Sequence, residues 1–289
     1  MFPDRVGRMI LDGVVSSEDY NTGQGNGSLR DSEKAMSSFY TFCILSGPEL
    51  CPLTTFNSSA KDVERRVQSI IQSLYHNPLP ISSIHGPDIL SYSDVKMSLF
   101  SAIYQPILAF PTIAILLEAI ESGGGPIIDD SIAAARPTRV YTCPVNGTKS
   151  RVEKDFSDVA TVSILCSDSH DLTSITIRDF EEYLDLLVDI SPTGGGIWAS
   201  LRMKCASWKI KAVYKRGDEF GGNTSYPILF LSNTADPVTP LKSGRFMSKK
   251  FPGSSLLIQD SAGVSSQSLL LLLLHRLIPQ MSPNKLWKP

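Results

Sequence analysis

The chain has 289 residues, of which 42% are hydrophobic, so it is long and apolar enough to form a globular fold with a buried core. Its formal net charge of −2, without any lysine- or arginine-rich run, argues against nucleic acid or an anionic membrane as the main partner. Small molecules or other proteins are favoured instead.

The first predicted element is a short buried strand at residues 8–11, between a Pro-Asp turn and Asp12-Gly13. A core strand this close to the first residue is unusual, because loose termini generally precede buried elements. We therefore expect the chain to begin in the middle of a domain.

Four helices are predicted next, from apolar residues that recur at three- and four-residue spacing. The first helix is expected to be capped by Ser32 and to end at Gly47-Pro48. The other three are predicted at residues 60–75, after Tyr92-Ser93-Asp94, and from Pro111 to about Glu121. Together these patterns indicate a helical layer.

Residues 126–160 are poorly periodic and are interpreted as a long loop or insertion. A further helix is predicted within residues 174–192, where Phe180, Tyr183 and Leu187 share a face. The glycine triplets at 123–125 and 194–196 are interpreted as flexible loops. Neither follows a clear strand or has the spacing of a phosphate-binding loop.

The last hundred residues contain a strand at 228–232, a helix near 241–250 and a strand at 256–259, which predicts a parallel crossover. Asp236 then lies at the carboxyl edge of the sheet, where α/β folds gather functional groups. It could accept an imidazole N–H and so fix the tautomer of a catalytic histidine. Capping of the following helix is an equally compatible role.

Two stretches carry a family resemblance. PILFLSNTADPVTPLKSGRFMSKKFPGSSLLIQDSAG resembles the C-terminal domain of tripeptidyl-aminopeptidase-like (TAP-like) serine hydrolases, peptidases of S33 type with the α/β-hydrolase fold. FPDRVGRMILDGVV resembles the strand after the nucleophile in that family, and CSD at 166–168 with CASW at 205–208 resembles its cysteine segments.

The resemblance implies an α/β fold class: the C-terminal part of an α/β-hydrolase, with about three parallel strands and a large, mostly helical cap insertion. The expected division is a core strand and exit loop at 1–27, the helical cap at 28–190, and the TAP-like C-terminal segment at 191–289.

Of the family's Ser–acid–His triad, only the acid is implied here, at Asp236. No Gly-x-Ser-x-Gly motif occurs in the sequence, and Val264 stands where the histidine should follow the QDSAG turn. From Val264 onward the resemblance ends, which suggests a shifted reading frame or altered splice. We therefore interpret the sequence as truncated at its N-terminus and altered at its C-terminus.

The four histidines do not replace the missing one. His275 lies among leucines that more simply form a buried face. His76 and His85 flank a predicted loop, and their spacing matches no metal pattern. His170 lies among acidic side chains that could suggest a metal site, but a solvated turn with helix-capping aspartates is favoured. We predict no metal and no cofactor.

The cysteines fit a structural role, since none has a basic neighbour in sequence that would lower its thiol pKa. The resemblance implies disulfides between Cys43 and Cys51 and between Cys166 and Cys205, with Cys143 left over. If the chain stays in a reducing compartment, all five are instead reduced, buried side chains.

The sequence does not determine the cellular location of the protein. Relatives are often secreted, but the N-terminal residues lack the pattern of a signal peptide, and the six leucines at 269–274 are too few to span a membrane. We expect no membrane partner.

Two functions remain as hypotheses. In the first, the chain derives from a serine peptidase that releases short peptides from a free N-terminus, and it is inactive alone. In the second, it is a non-catalytic pseudoenzyme that binds a peptide or protein. In either case the first strand should be an unpaired sheet edge, open to self-association.

Overall fold

The computed structural model describes residues 2–83, 86–135, 157–214 and 220–264. Its helices are α1 (Ser17–Thr22), α2 (Ser32–Ser46), α3 (Ala60–His76), α4 (Tyr92–Ala102), α5 (Pro106–Glu121), α6 (Pro126–Ala135), α7 (Ser157–Asp168), α8 (Ile177–Ile190), α9 (Gly195–Cys205) and α10 (Leu241–Lys249). Its strands are β1 (Met9–Asp12), β2 (Leu79–Ser83), β3 (Gly86–Leu90), β4 (Ile228–Ala235) and β5 (Ser255–Ala262), and short 3-10 helices occur at Pro3–Arg5 and Ser28–Asp31.

The main sheet has three parallel strands in the order β1–β4–β5. Met9 lies opposite Ile228 in this sheet, although the whole helical region separates them in the sequence. The central strand β4 is buried along most of its length, as expected for a parallel sheet. The three predicted strands, their parallel pairing and the α/β class with a helical insertion are confirmed.

One face of this sheet is covered by α10. Ile228 and Phe230 of β4 pack with Met247 of the helix in a separate hydrophobic cluster. The helix approaches closely because Gly244 has no side chain: a Cβ there would lie 2.1 Å from the Ser232 hydroxyl oxygen. This glycine therefore sets the spacing between helix and sheet.

The opposite face of the sheet leaves large aliphatic side chains in contact with solvent. Ile10 pairs with Leu229, and Leu257 pairs with Leu231, so these four residues share one face. Ile10 is 63% exposed and Leu257 is 55% exposed. We call these four residues the open face.

Helices α2 to α6, with α8 and α9, surround the largest hydrophobic core. Phe39 and Phe110 meet edge to face at its centre, with ring centroids 5.1 Å apart. Capping boxes start α3, α4 and α8, for example Ser59 with Asp62. In the described residues, no single helix meets the length and hydropathy expected of a membrane span; α5 and α6 do so only as a pair bent by 115°.

The fourth predicted helix is longer than expected. It begins at Pro106, and Pro111 lies inside it, whereas the sequence suggested a start at Pro111. A proline inside a helix removes one backbone hydrogen bond. The buried side chains on both sides of it, such as Phe110 and Ile113, explain why the helix continues through this position.

Three loop assignments were wrong in part. The ends of the 126–160 segment form α6 and α7, because Ile128 and Ile132 are buried against the helical core; residues 136–156 lie outside the described part. The second glycine triplet begins α9, where a Cβ on Gly195 would lie 2.4 Å from the Leu187 carbonyl oxygen. The predicted loop between His76 and His85 contains β2, which pairs antiparallel with β3.

Candidate functional site

Asp236 directly follows the last residue of β4, at the carboxyl edge of the sheet, and its side chain is fully buried. Its Oδ1 atom accepts hydrogen bonds from the backbone N–H groups of Val238, at 3.0 Å, and Thr239, at 2.7 Å. The carboxylate is therefore held by the turn that follows it.

Asp236 is not the N-cap of α10. That position belongs to Pro240, which makes no side-chain capping bond. A carboxylate from another element takes this role: Asp31, just before α2, accepts a hydrogen bond from the Leu241 backbone. Burial raises the pKa of Asp31, while the positive charge of Lys34 and the Leu241 bond oppose this shift.

The turn after β5 lies beside the end of β4. The Gly263 N–H donates to the Ala235 carbonyl at 3.1 Å, and the Asn233 side-chain amide donates to the Gly263 carbonyl at 2.8 Å. Gly263 has a φ of +96°, and a Cβ there would lie 2.6 Å from the Cδ of Pro106. Only glycine fits this turn without strain.

Val264, the next residue, connects the sheet edge to the helical layer. Its backbone N–H donates to the Tyr104 carbonyl at 3.1 Å, and its half-buried side chain packs against the main core. The site where the resemblance expects an imidazole thus holds an aliphatic side chain in an apolar contact.

Tyr104 brings a phenol close enough to Asp236 to interact with it electrostatically. Burial raises the pKa of Tyr104 to about 12, and the negative charge of Asp236 acts in the same direction. The phenol therefore keeps its proton, and its ability to donate a hydrogen bond, to a higher pH than an ordinary tyrosine.

The start of α2 is hydrogen-bonded to the turn that contains Asp236. The Ser32 hydroxyl, buried in the first turn of the helix, donates to the Pro237 carbonyl at 2.6 Å rather than capping the helix. The Lys34 ammonium donates to the Thr234 carbonyl at 2.6 Å. The helical layer therefore lies directly against the carboxyl edge of the sheet.

The histidines lie elsewhere. His76 ends α3, and His170 follows α7, where its backbone N–H donates to the Asn21 carbonyl. Neither is hydrogen-bonded to Asp236 in the part of the chain that the structure describes, and no group of three or more metal-ligating side chains occurs there. His85 and His275 lie outside the described residues.

Two disulfides hold helix ends. Cys43 and Cys51, with Cα atoms 5.3 Å apart, close the turn after α2, and Cys166 and Cys205, with Cα atoms 5.0 Å apart, join α7 to α9. Cys143 lies outside the described residues.

Sequence reasoning did not identify Tyr104, Ser32, Asn233 or Lys34 as parts of this site. Asn233 stands in the NTADPVTP phrase and could have been found there. Ser32 and Lys34 come from α2 and Tyr104 from the junction between α4 and α5, and no spacing in the sequence links them to Asp236.

Residues 191–268 match the family model described as TAP-like protein. The matched range contains β4, Asp236, α10, β5 and Val264. The three parallel strands and the helical insertion are those of a partial α/β-hydrolase fold, and the family match supports a TAP-like domain at residues 191–268. No curated protein matches the chain.

Proposed function

We propose that this chain, with its TAP-like segment, is a relative of S33-type serine peptidases that retains the position of the catalytic acid and does not hydrolyse peptides by itself. The reaction implied for the relatives is release of short peptides from a free N-terminus through an acyl-enzyme. The observation that carries the proposal is Val264, at the position where the family resemblance implies a histidine.

The chemistry explains why this position decides the outcome. In acyl transfer, a serine hydroxyl attacks the peptide carbonyl carbon while an imidazole nitrogen takes its proton and later delivers it to the leaving amine. Valine has no atom that can accept or donate this proton. The 289-residue sequence also contains no Gly-x-Ser-x-Gly elbow to supply the hydroxyl.

The chain retains an acid that could orient a catalytic imidazole. Asp236 is buried and oriented by two backbone amides, as an acid that positions an imidazole must be. We also propose that residues 28–190 are the cap over this edge. The hydrogen bonds of Ser32 and Lys34 to the Asp236 turn support that role.

The second candidate function is non-catalytic binding of a peptide or a protein. The open face favours it, because Ile10 and Leu257 expose apolar area on one side of the sheet. A second copy of the chain that meets β1 edge to edge is one such partner.

One experiment tests whether the chain has the activity implied for its relatives. The purified chain is incubated with a fluorophosphonate serine probe and, separately, with a tripeptide amide substrate, beside a serine peptidase of known activity. We expect neither labelling nor turnover. Stoichiometric labelling of a serine, or turnover that Asp236→Asn abolishes, would overturn the proposal.

A further inference from the structure

The helical region encloses a cavity of about 380 Å³ that is separate from the Asp236 turn. This volume lies in the range of small-molecule sites, and most of the lining is apolar. The cavity is partly open to solvent, and Ile164 in its lining is 60% exposed. Its lining includes Leu165, Trp198, Leu201 and Arg202.

The walls of this cavity are fixed in the folded chain. Leu165 on α7 and Leu201 on α9 face it from helices that the Cys166–Cys205 disulfide joins. The third wall is the turn after α1, where a Cβ on Gly25 would lie 2.3 Å from the indole nitrogen of Trp198. This close packing, which glycine permits, indicates a preformed cavity.

Most polar groups around the cavity already have hydrogen-bond partners. The Tyr20 hydroxyl donates to Asp168 at 3.1 Å, and the Tyr183 hydroxyl donates to the Gln24 carbonyl. The Asp19 carboxylate accepts from the Gly27 N–H at 3.2 Å and from the Ser28 hydroxyl at 3.5 Å.

Arg202 supplies the positive charge among the lining residues. Its guanidinium stacks on the Tyr183 ring, with Cζ 4.2 Å from the ring centroid, and it hydrogen-bonds with the Tyr183 side chain. These contacts hold the guanidinium in place at the cavity. A carboxylate is the acceptor that a guanidinium binds best.

We propose that this cavity binds a small apolar carboxylate, whose body packs on Trp198, Leu165 and Leu201 and whose carboxylate pairs with the guanidinium of Arg202. The site goes beyond the function proposed for the Asp236 edge and does not depend on it. The carboxylate can come from a free acid or from the C-terminal residue of a peptide. Asp19 also lines the cavity, but its carboxylate already accepts hydrogen bonds from Gly27 and Ser28.

Ligand-observed NMR titration of the oxidised 289-residue chain tests the proposal with 3-phenylpropionate, its uncharged amide, and 2-phenylethylammonium. We expect the acid to bind more tightly than both other probes. N-acetylglycyl-phenylalanine carries the same group at a peptide C-terminus; binding tighter than that of 3-phenylpropionate assigns the peptide source, and weaker binding assigns the free acid.

Arg202→Gln should weaken binding of the acid by about tenfold or more, the loss expected for one charge-assisted hydrogen bond, and leave binding of the amide unchanged. Arg178→Gln is the matched control, because Arg178 is exposed and paired with Glu182 on α8. If Arg202→Gln fails to fold, Ile164→Trp instead places a larger side chain in the lining of the cavity and should weaken binding of all probes.

Equal binding of acid and amide would overturn the proposal, as would tighter binding of the ammonium probe, which would assign the site to Asp19. Absence of binding by any probe would also overturn it. None of these results bears on catalysis at Asp236, so failure here is distinct from failure of the proposed function.

Discussion

At the scale of single residues, the carboxylate of Asp236 has a structural use that does not require catalysis. Its Oδ1 atom accepts two backbone N–H groups in the turn between β4 and α10, and the residue has no exposed surface. Loss of this acceptor would leave two amides without a partner in a buried turn, which is destabilising whatever the chain does chemically.

Asp236→Ala should therefore lower the free energy of unfolding by about 2 kcal/mol or more, since each buried amide left unpaired costs about 1–3 kcal/mol. Asp236→Asn is the matched variant, because its side-chain oxygen can still accept both N–H groups, and it should lose much less. Urea unfolding followed by circular dichroism measures both. Equal losses in the two variants would show that charge, rather than the acceptor, stabilises the turn.

Tyr104 gives a pH-dependent prediction. Its folded pKa of about 12 lies above the ordinary phenol pKa of ~10, so the unfolded state releases the proton first. This contribution to stability is complete below pH ~10 and is lost as pH rises toward about 12. Tyr104→Phe should remove one late-ionising phenol from the tyrosinate absorbance titration, and Asp236→Asn should lower the Tyr104 pKa. An unchanged high-pH titration in Tyr104→Phe would contradict this assignment.

At the carboxyl edge of the sheet, only features formed by residues that are neighbours in the sequence could be predicted. Strand β4, the Asp236-Pro237 step and the Gly263 turn each depend on a few consecutive residues. Ser32 and Tyr104 reach the same place through tertiary packing of α2 and of the α4–α5 junction, which leaves no short-range pattern. Ser32 was therefore assigned to helix capping, although its hydroxyl bonds to Pro237.

At the scale of elements, two neighbouring glycines at the start of α9 have different surroundings. A Cβ on Gly195 would lie 2.4 Å from the Leu187 carbonyl oxygen, which belongs to the backbone of α8 and cannot rotate away. A Cβ on Gly196 would meet nothing within 4 Å. Gly195 is therefore required by the close packing of α9 on α8, whereas a side chain at Gly196 meets no steric conflict.

Gly195→Ala should destabilise the protein by roughly 1–3 kcal/mol, the usual cost of overpacking, because α8 and α9 must move apart. Gly196→Ala should instead be neutral or stabilising by up to about 1 kcal/mol, since alanine favours the helix. Thermal unfolding of the two variants side by side measures the difference. A destabilising Gly196→Ala, or a neutral Gly195→Ala, would contradict the packing seen here.

Prediction succeeded for helices whose hydrophobic periodicity and capping residues indicate the same boundaries. An example is α3, which has a capping box and one buried face. Prediction failed where packing overrides local signals. Pro111 and the 194–196 triplet both indicate breaks, yet α5 continues through the proline and α9 begins at the glycines. Buried neighbours on facing helices decide these positions, and they are distant in sequence.

At the scale of the whole molecule, the open face is unusual for a parallel sheet, whose two faces are normally both covered by helices. In the described chain α10 covers one face, whereas Ile10 and Leu257 on the other are more than half exposed. β1 is also an edge strand of the sheet. An apolar face next to an unpaired edge favours association with another chain.

We therefore expect concentration-dependent self-association of the purified chain through β1 and the open face. Ile10→Lys should shift the equilibrium toward monomer, because a charge on the apolar face must be desolvated in the complex. Ile177→Lys is the control: Ile177 is 80% exposed but begins α8, away from the sheet. Sedimentation velocity over a range of protein concentrations measures both variants. If Ile10→Lys and Ile177→Lys associate alike, the contact lies elsewhere, and the edge of β1 is not the surface that holds two copies together.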